Sequence, residues 1–279
     1  MNLGEAFEFG KNELAAAGIE DAPVDAWYLL EYVTGYDRMM YFLKVLDPLT
    51  KEQEEQYREY ISVRKSHIPL QHITGVQEFM GLEFCVNEHV LVPRQDTEIL
   101  VECVLKVLEP GMSVLDMCTG SGCILISLLK LQEGASGTGV DISEDALKVA
   151  TKNRDKIGVD ASLLQSDMFE NVSGTYDVIV SNPPYIRTSV IEELEEEVKL
   201  HDPFIALDGK EDGLYFYRKI VEKSPAFLKN GGKLYFEIGH DQGEDVKKLM
   251  EDAGFSKVSV KKDLAGLDRV VFGEYNMLG

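Results

Sequence analysis

The chain has 279 residues, 44% hydrophobic and 28% charged, which suits a globular protein with room for one large domain or two smaller ones. Its net charge of −21, from 49 acidic against 28 basic residues, repels phosphate and argues against an enzyme that grips a nucleic-acid duplex. No run is long and apolar enough to span a bilayer. Residues 1–6 carry no basic stretch ahead of an apolar one, so no signal peptide is expected and the cytoplasm is the expected compartment.

Residues 1–73 read as a small helical domain. Phe7, Leu14, Trp27, Leu30, Tyr32 and Val33 supply its apolar faces. Pro23 opens a helix through Tyr32, with Asp21 or Ala22 before it. Another helix begins at Thr50, where Thr50-Lys51-Glu52-Gln53 is a capping-box pattern, and runs to about Arg64. Nothing in this segment resembles a catalytic constellation.

Residues 74–94 read as a β-hairpin linker. Apolar and polar residues alternate around Gly81, and Asn87-Glu88 is expected to turn the chain into a strand at Val90-Leu91-Val92. Pro93-Arg94 closes it. Asp96 or Thr97 is expected to cap the next helix, with Glu98 in its first turn, where the helix dipole favours an anion.

Residues 95–279 alternate strand and helix, which predicts an α/β fold with a doubly wound parallel sheet. Strands are expected at 113–117, 137–141, 161–165, 176–181, 233–238, 256–261 and 269–273. Helices are expected to start near Ser121, Glu144, Gly213 and Gln242. The acidic run over 192–197 reads as a solvated helix face, or more sharply as a contact for a basic partner. Cys85, Cys103, Cys118 and Cys123 sit among apolar residues without a C-x-x-C pair. Free thiols are expected, and no metal site.

Chemistry concentrates at the strand ends. Strand 113–117 breaks into Cys118-Thr119-Gly120-Ser121-Gly122, a turn whose glycines let the backbone approach a ligand closely. Asp141 ends the next strand, where an acid can bind ribose hydroxyls. Asp167, or the backbone beside it, can meet an adenine amine, with Met168 packing on the ring. A dinucleotide fingerprint would want glycine where Leu125 stands. Asp116 before the turn repels a pyrophosphate but suits S-adenosylmethionine, which carries an ammonium and a sulfonium. Strand 176–181 is stopped by Asn182-Pro183-Pro184-Tyr185, because two prolines cannot continue a central strand. The Asn182 side-chain oxygen and the Pro183 carbonyl can take both hydrogens of a planar NH2, and Tyr185 can stack on its face. An amide and a nucleobase amine both fit.

The glycine-rich turn with Asn182-Pro183-Pro184-Tyr185 resembles class I S-adenosylmethionine-dependent methyltransferases that alkylate planar nitrogens. The flanks are similar to the protein-glutamine N5-methyltransferase family: Pro69-Leu70-Gln71-His72-Ile73-Thr74-Gly75, Val90-Leu91-Val92-Pro93-Arg94 with Thr97-Glu98, and Pro203 with Ala206-Leu207, Gly209 and Asp212-Gly213-Leu214. The resemblance implies a Rossmann-like seven-stranded sheet with a helical amino-terminal domain. It implies methyl transfer from S-adenosylmethionine to the glutamine of the Gly-Gly-Gln motif in class 1 peptide-chain release factors. Asn182, Pro183 and Tyr185 would then be catalytic, with Pro184 also binding substrate. Asp116, residues 118–122, Asp141, Asp167, Met168 and Asn182 would hold the cofactor. The tetrapeptide alone is shared with DNA adenine and rRNA guanine methyltransferases, so a nucleic-acid amino-methyltransferase (adenine N6 or guanine N2) is the alternative. Cys118 stands where the family usually has glycine, Gln95 and Asp96 replace proline and glutamate, and Asp202 replaces glutamate.

Overall fold

A computed structural model describes residues 1–276. The chain divides into two compact units, one of Met1–Val76 with Glu195–His201 and one of Gln77–Leu194 with everything from Asp202 onward.

The first unit is helical: Leu3–Ala16, Ala22–Thr34, Arg38–Lys44, Lys51–Arg64 and Leu70–Thr74, with Glu196–His201 added from later in the chain. The capping box at Thr50 forms both its bonds, Gln53 N to Thr50 Oγ1 at 3.2 Å and Thr50 N to Gln53 Oε1 at 3.0 Å. Asp21 precedes its helix without a side-chain cap bond. Leu14, Ala26, Leu30, Tyr57 and Ile61 make the core. Tyr32 is 49% exposed rather than buried and leans on the ring of Tyr60. Arg64 is buried and reaches Asp25 at 2.7 Å, Glu197 at 2.5 Å and the Ile68 carbonyl at 3.0 Å. The acidic run is solvated at Glu192, Glu193, Glu195 and Glu196 but less so at Glu197. It breaks between a 3-10 turn, Thr188–Glu193, and the helix Glu196–His201, and Glu197 is consumed by Arg64.

Strands β1 (Val76–Phe79) and β2 (Leu82–Cys85) pair as a hairpin around Met80-Gly81, both with positive φ. Two successive positive φ values give the twist a two-residue hairpin needs. The hairpin's own turn lies at Gly81; the chain also turns at Asn87-Glu88, where Val90 N donates to the Asn87 carbonyl at 3.2 Å, but residues 90–92 beyond it are not a strand. The two valines serve packing instead: both are buried, and Val90 joins Val86, Ala146 and Val149 in a small core. Pro93 follows directly, with no N–H for a ladder. The next helix, Gln95–Leu105, starts after Arg94 without a side-chain cap, so neither Asp96 nor Thr97 caps it.

The large sheet has seven strands: β3 (Ser113–Met117), β4 (Ser136–Asp141), β5 (Ala161–Gln165), β6 (Tyr176–Ser181), β7 (Leu228–Glu237), β8 (Ser256–Lys262) and β9 (Asp268–Tyr275). Their order is β5-β4-β3-β6-β7-β9-β8. All neighbours from β5 to β7 are parallel, and β9 runs antiparallel to both β7 and β8. The expected parallel sheet therefore ends mixed. Only residues 263–267 connect β8 to β9, far too few for a parallel crossover. Both faces are covered, so alternate residues of one strand enter different cores. Val178 and Val180 pack with Leu100 and Leu125, whereas Ile179 packs with Tyr217 and Phe236. From β3 the chain moves outward through β4 and β5, then returns to lay β6 on the other side of β3. That reversal opens a crevice at the carboxyl ends of the strands.

Candidate active site

A cleft opens at that reversal. Cys118, Thr119, Gly120, Ser121, Asp141, Asp167, Met168, Asn182 and Pro184 line it together. Four strand ends, those of β3, β4, β5 and β6, thus deliver sequence-predicted residues to one place.

The β3 turn is shaped by close local bonds. Cys118 has φ 64°, the left-handed region in which glycine is at ease. Gly120 and Gly122 are also left-handed, and Gly122 begins the helix Cys123–Leu131. Asp116 is fully buried and is not part of the cleft wall. Its Oδ2 accepts the Thr119 hydroxyl at 2.6 Å. Burial pushes its carboxyl up to about 7, with the Thr119 bond opposing.

Asp141 is held at both oxygens. Oδ2 accepts from Gly120 N at 2.8 Å, and Oδ1 accepts from Ser143 N at 2.9 Å. It therefore ties the β3 turn to the helix that starts at Glu144. Burial raises its pKa, and the backbone bonds counter that. Each oxygen keeps a lone pair for a hydroxyl donor. Asp167 lies two residues past β5 and is exposed, and Met168 beside it is left-handed with φ 52°.

Asn182 follows β6 directly. Its Nδ2 donates to Thr97 Oγ1 at 3.4 Å, which leaves Oδ1 for another partner. Pro183 and Pro184 are buried. Tyr185 is not part of the cleft wall but packs on the core cluster around Phe236. Its hydroxyl stands 3.5 Å from Glu237 Oε1 and its carbonyl accepts from Gln242 Nε2 at 3.0 Å. Burial, with the Glu237 carboxylate nearby, raises the Tyr185 phenol well above its usual value.

The amino-terminal segment, residues 5–75, matches the PrmC N-terminal domain, and residues 94–198 match the methyltransferase small domain. The release factor glutamine methyltransferase of Agrobacterium fabrum is 41% identical over 269 residues, covering 94% of this chain and 93% of that protein. Those of Geobacter sulfurreducens and Caulobacter vibrioides are 38% and 39% identical, covering 97% and 100% of this chain and 96% and 98% of theirs. The chain belongs to the release factor glutamine methyltransferase family. Two solved structures share the sheet at low identity and speak to the fold alone. They are a methyltransferase from Pyrococcus furiosus (TM-score 0.54, 18% identity, 71% of this chain and 90% of that one) and the hMettl16 catalytic domain (TM-score 0.58, 15% identity, 79% and 84%).

Several residues of this methyltransferase site escape a reading of the sequence. Leu91, Ile205 and Phe216 add apolar walls to the cleft, and Arg94 lines it while bonding Asp202 at 2.8 Å. Glu237 and Gln242 are each only 2% exposed, behind the Asn182-Pro183-Pro184-Tyr185 loop. Burial lifts Glu237 to about 7, against hydrogen bonding from Thr97, the charge of Arg269 and bonding from Tyr185. One sequence signal existed. A glutamate ending the apolar run Leu234-Tyr235-Phe236 is a charge placed where a strand is buried on both faces.

Proposed function

We propose that the chain transfers the methyl group of S-adenosylmethionine to the side-chain amide nitrogen, N5, of the glutamine in the Gly-Gly-Gln motif of class 1 release factors. The observation that carries this is that Asn182 and Pro184 of the Asn182-Pro183-Pro184-Tyr185 loop line the same cleft as Asp141, in a chain that matches release factor glutamine methyltransferases over nearly its whole length. The donor set fits the cofactor. Asp141, fixed at both oxygens, would bind the two ribose hydroxyls. A Cβ on Gly120 would point into open space, so the backbone there leaves room for a ligand. Asp167 and Met168 would hold the adenine, and Cys118, Thr119, Ser121 and Gly122 would shape the turn against the methionine part. Asp116 would act from beneath, through Thr119.

Bound S-adenosylmethionine supplies an electrophilic methyl with a neutral leaving group. The chain's task is to place a poor nucleophile in line with it. A carboxamide nitrogen is weak because its lone pair is delocalised. Asn182 Oδ1 and the Pro183 carbonyl would accept its two hydrogens, Pro184 would pack against its plane, and Tyr185 would hold the loop from behind the cleft. Those acceptors stabilise positive charge developing on nitrogen. Positioning of this kind is worth about 7–11 kcal/mol. The proton can leave to water once the methyl has moved.

The net charge of −21 supports a protein substrate over a phosphate-rich one, so no direct nucleic-acid contact is proposed. No helix among the described residues is long and apolar enough to cross a membrane. We place the reaction in the cytoplasm, consistent with four cysteines that are all free thiols. The deciding experiment incubates the pure protein with labelled S-adenosylmethionine and a recombinant bacterial release factor, then locates the methyl by mass spectrometry. One methyl on the Gly-Gly-Gln glutamine is expected. Transfer to rRNA or DNA instead would overturn the protein-substrate reading.

A further inference from the structure

The segment that leaves β7 carries two buried polar side chains that touch neither the cleft nor solvent. Gln242 bonds with both ends of its amide. Its Nε2 donates to the Tyr185 carbonyl at 3.0 Å and the Gly213 carbonyl at 3.3 Å. Its Oε1 accepts from Gly239 N at 2.9 Å and lies 3.4 Å from the Tyr217 hydroxyl, which spends its one hydrogen on a nearer carbonyl. The same hydroxyl lies 2.9 Å from the Glu237 carbonyl. Glu237 in turn stands at the far end of Tyr185, 3.5 Å from its hydroxyl. Tyr185 is therefore gripped at both ends by residues of one short stretch. The chain after Tyr185 is fastened too. Ile186 N donates to the Leu207 carbonyl at 3.0 Å, and Gly209 N to the Ile186 carbonyl at 2.8 Å.

We infer that Gln242 is a positioning residue for methyl transfer: through the Tyr185 carbonyl it sets where the Asn182-Pro183-Pro184-Tyr185 loop stands, with Glu237 fixing the other end of the Tyr185 side chain. The prolines supply the loop with no N–H, so it is anchored through acceptors such as the Tyr185 carbonyl, which the Gln242 amide bonds. The inference rests on the methyl-transfer reading and adds to it a residue that touches neither substrate nor cofactor.

The test is the isosteric substitution Gln242→Glu in the full chain, with Gln242→Met as a second variant should the charge impair folding. Both remove the donors to the Tyr185 and Gly213 carbonyls. A loop displaced by about 1 Å lowers transfer about 100-fold. The expected result is a fall in kcat on the release factor of about that size, with S-adenosylmethionine affinity by calorimetry within about threefold of wild type. The introduced carboxyl can donate one bond when protonated, so Gln242→Glu should regain activity relative to wild type as pH falls from 8 to 6, and Gln242→Met should not. A merely structural role would lower cofactor affinity and activity together and show no such recovery. Wild-type kcat in both folded variants would overturn the inference. Should the wild-type protein itself fail to methylate a release factor, the function fails first. A crystal structure of Gln242→Met then decides the inference separately, with a displaced Tyr185 supporting it and an unmoved Tyr185 overturning it.

Discussion

Asp141→Asn tests the cofactor assignment most directly, because the aspartate's environment dictates what the substitution must break. Each carboxylate oxygen accepts a backbone N–H, from Gly120 at 2.8 Å and from Ser143 at 2.9 Å. An asparagine has one oxygen, so its NH2 must face one of those two donors. An unmet buried donor costs about 1–3 kcal/mol. A hydrogen bond to a charged group contributes about 1.5–3 kcal/mol against about 0.5–1.5 for a neutral one. Losing the charge therefore removes about 1–1.5 kcal/mol for each ribose hydroxyl, or about 2–3 kcal/mol for the pair. At about 1.4 kcal/mol per tenfold, the Kd for S-adenosylmethionine should rise about 30- to 150-fold. Isothermal calorimetry at pH 8 measures it, and a thermal melt checks that the fold survives. A Kd within about threefold of wild type, on a folded variant, would refute the ribose role of Asp141.

Asn182→Ala should cut kcat by about 100-fold or more, by removing one acceptor for the substrate amide, with a melting temperature close to wild type; steady-state methylation of a release factor reads it. Gly209→Ala should lower turnover with little change in cofactor affinity. Its Cβ would come within 2.7 Å of the Tyr185 Cα and carbonyl carbon, so the loop must shift. Asp116 and Glu237 have folded pKa values near 7, raised from 3.8 and 4.5, so between about pH 5 and 7 the folded chain keeps protons that the unfolded chain has released. Stability should then fall as pH rises through that window, by up to about 1.4 kcal/mol per pH unit for each group. Urea midpoints at pH 5.5 and 7.5 measure the slope, which Asp116→Asn should reduce. Arg64→Met leaves Asp25 buried without its partner and should destabilise the helical unit by about 3–5 kcal/mol, seen in denaturant unfolding.

The sheet was legible because a strand covered on both faces must be apolar almost throughout. Val178-Ile179-Val180 and Leu234-Tyr235-Phe236 have that character, and short connections limit where their neighbours can lie. The capping box at Thr50 was legible because both its bonds are local. Val90-Leu91-Val92 misleads for the opposite reason. Its two valines are β-branched and buried, but what buries Val90 is Ala146 and Val149 on a distant helix, and no partner strand is involved. The antiparallel β9 is a matter of connection length, which strand-forming character alone does not express. Arg64 shows the limit most clearly. Nothing near it in sequence says that Glu197, 133 positions on, will meet its guanidinium.

The same distinction runs through the site. Cys118 to Ser121, Asp141 and Asn182 were readable as cleft residues because each ends or follows a strand, and strand ends in a doubly wound sheet converge on one crevice, whereas Asp116, one residue inside β3, lies beneath it. What holds the Asn182-Pro183-Pro184-Tyr185 loop was not readable, because its supports come from residues more than 20 positions away. Two prolines stiffen the loop but give it no N–H with which to anchor itself. Rigidity and position are separate properties, and only the first is written in the tetrapeptide. Position comes from Gly209 and Gly213, where a Cβ would strike the Tyr185 backbone, and from Gln242 bonded to its carbonyl. The motif Pro203-x-x-Ala206-Leu207-x-Gly209 with Asp212-Gly213 thus acquires a physical reason. Its Gly209 and Gly213 are the bed on which the Tyr185 backbone lies, while Pro203 and Ala206 line the cleft, so a substitution at either glycine should act on turnover before it acts on the cofactor.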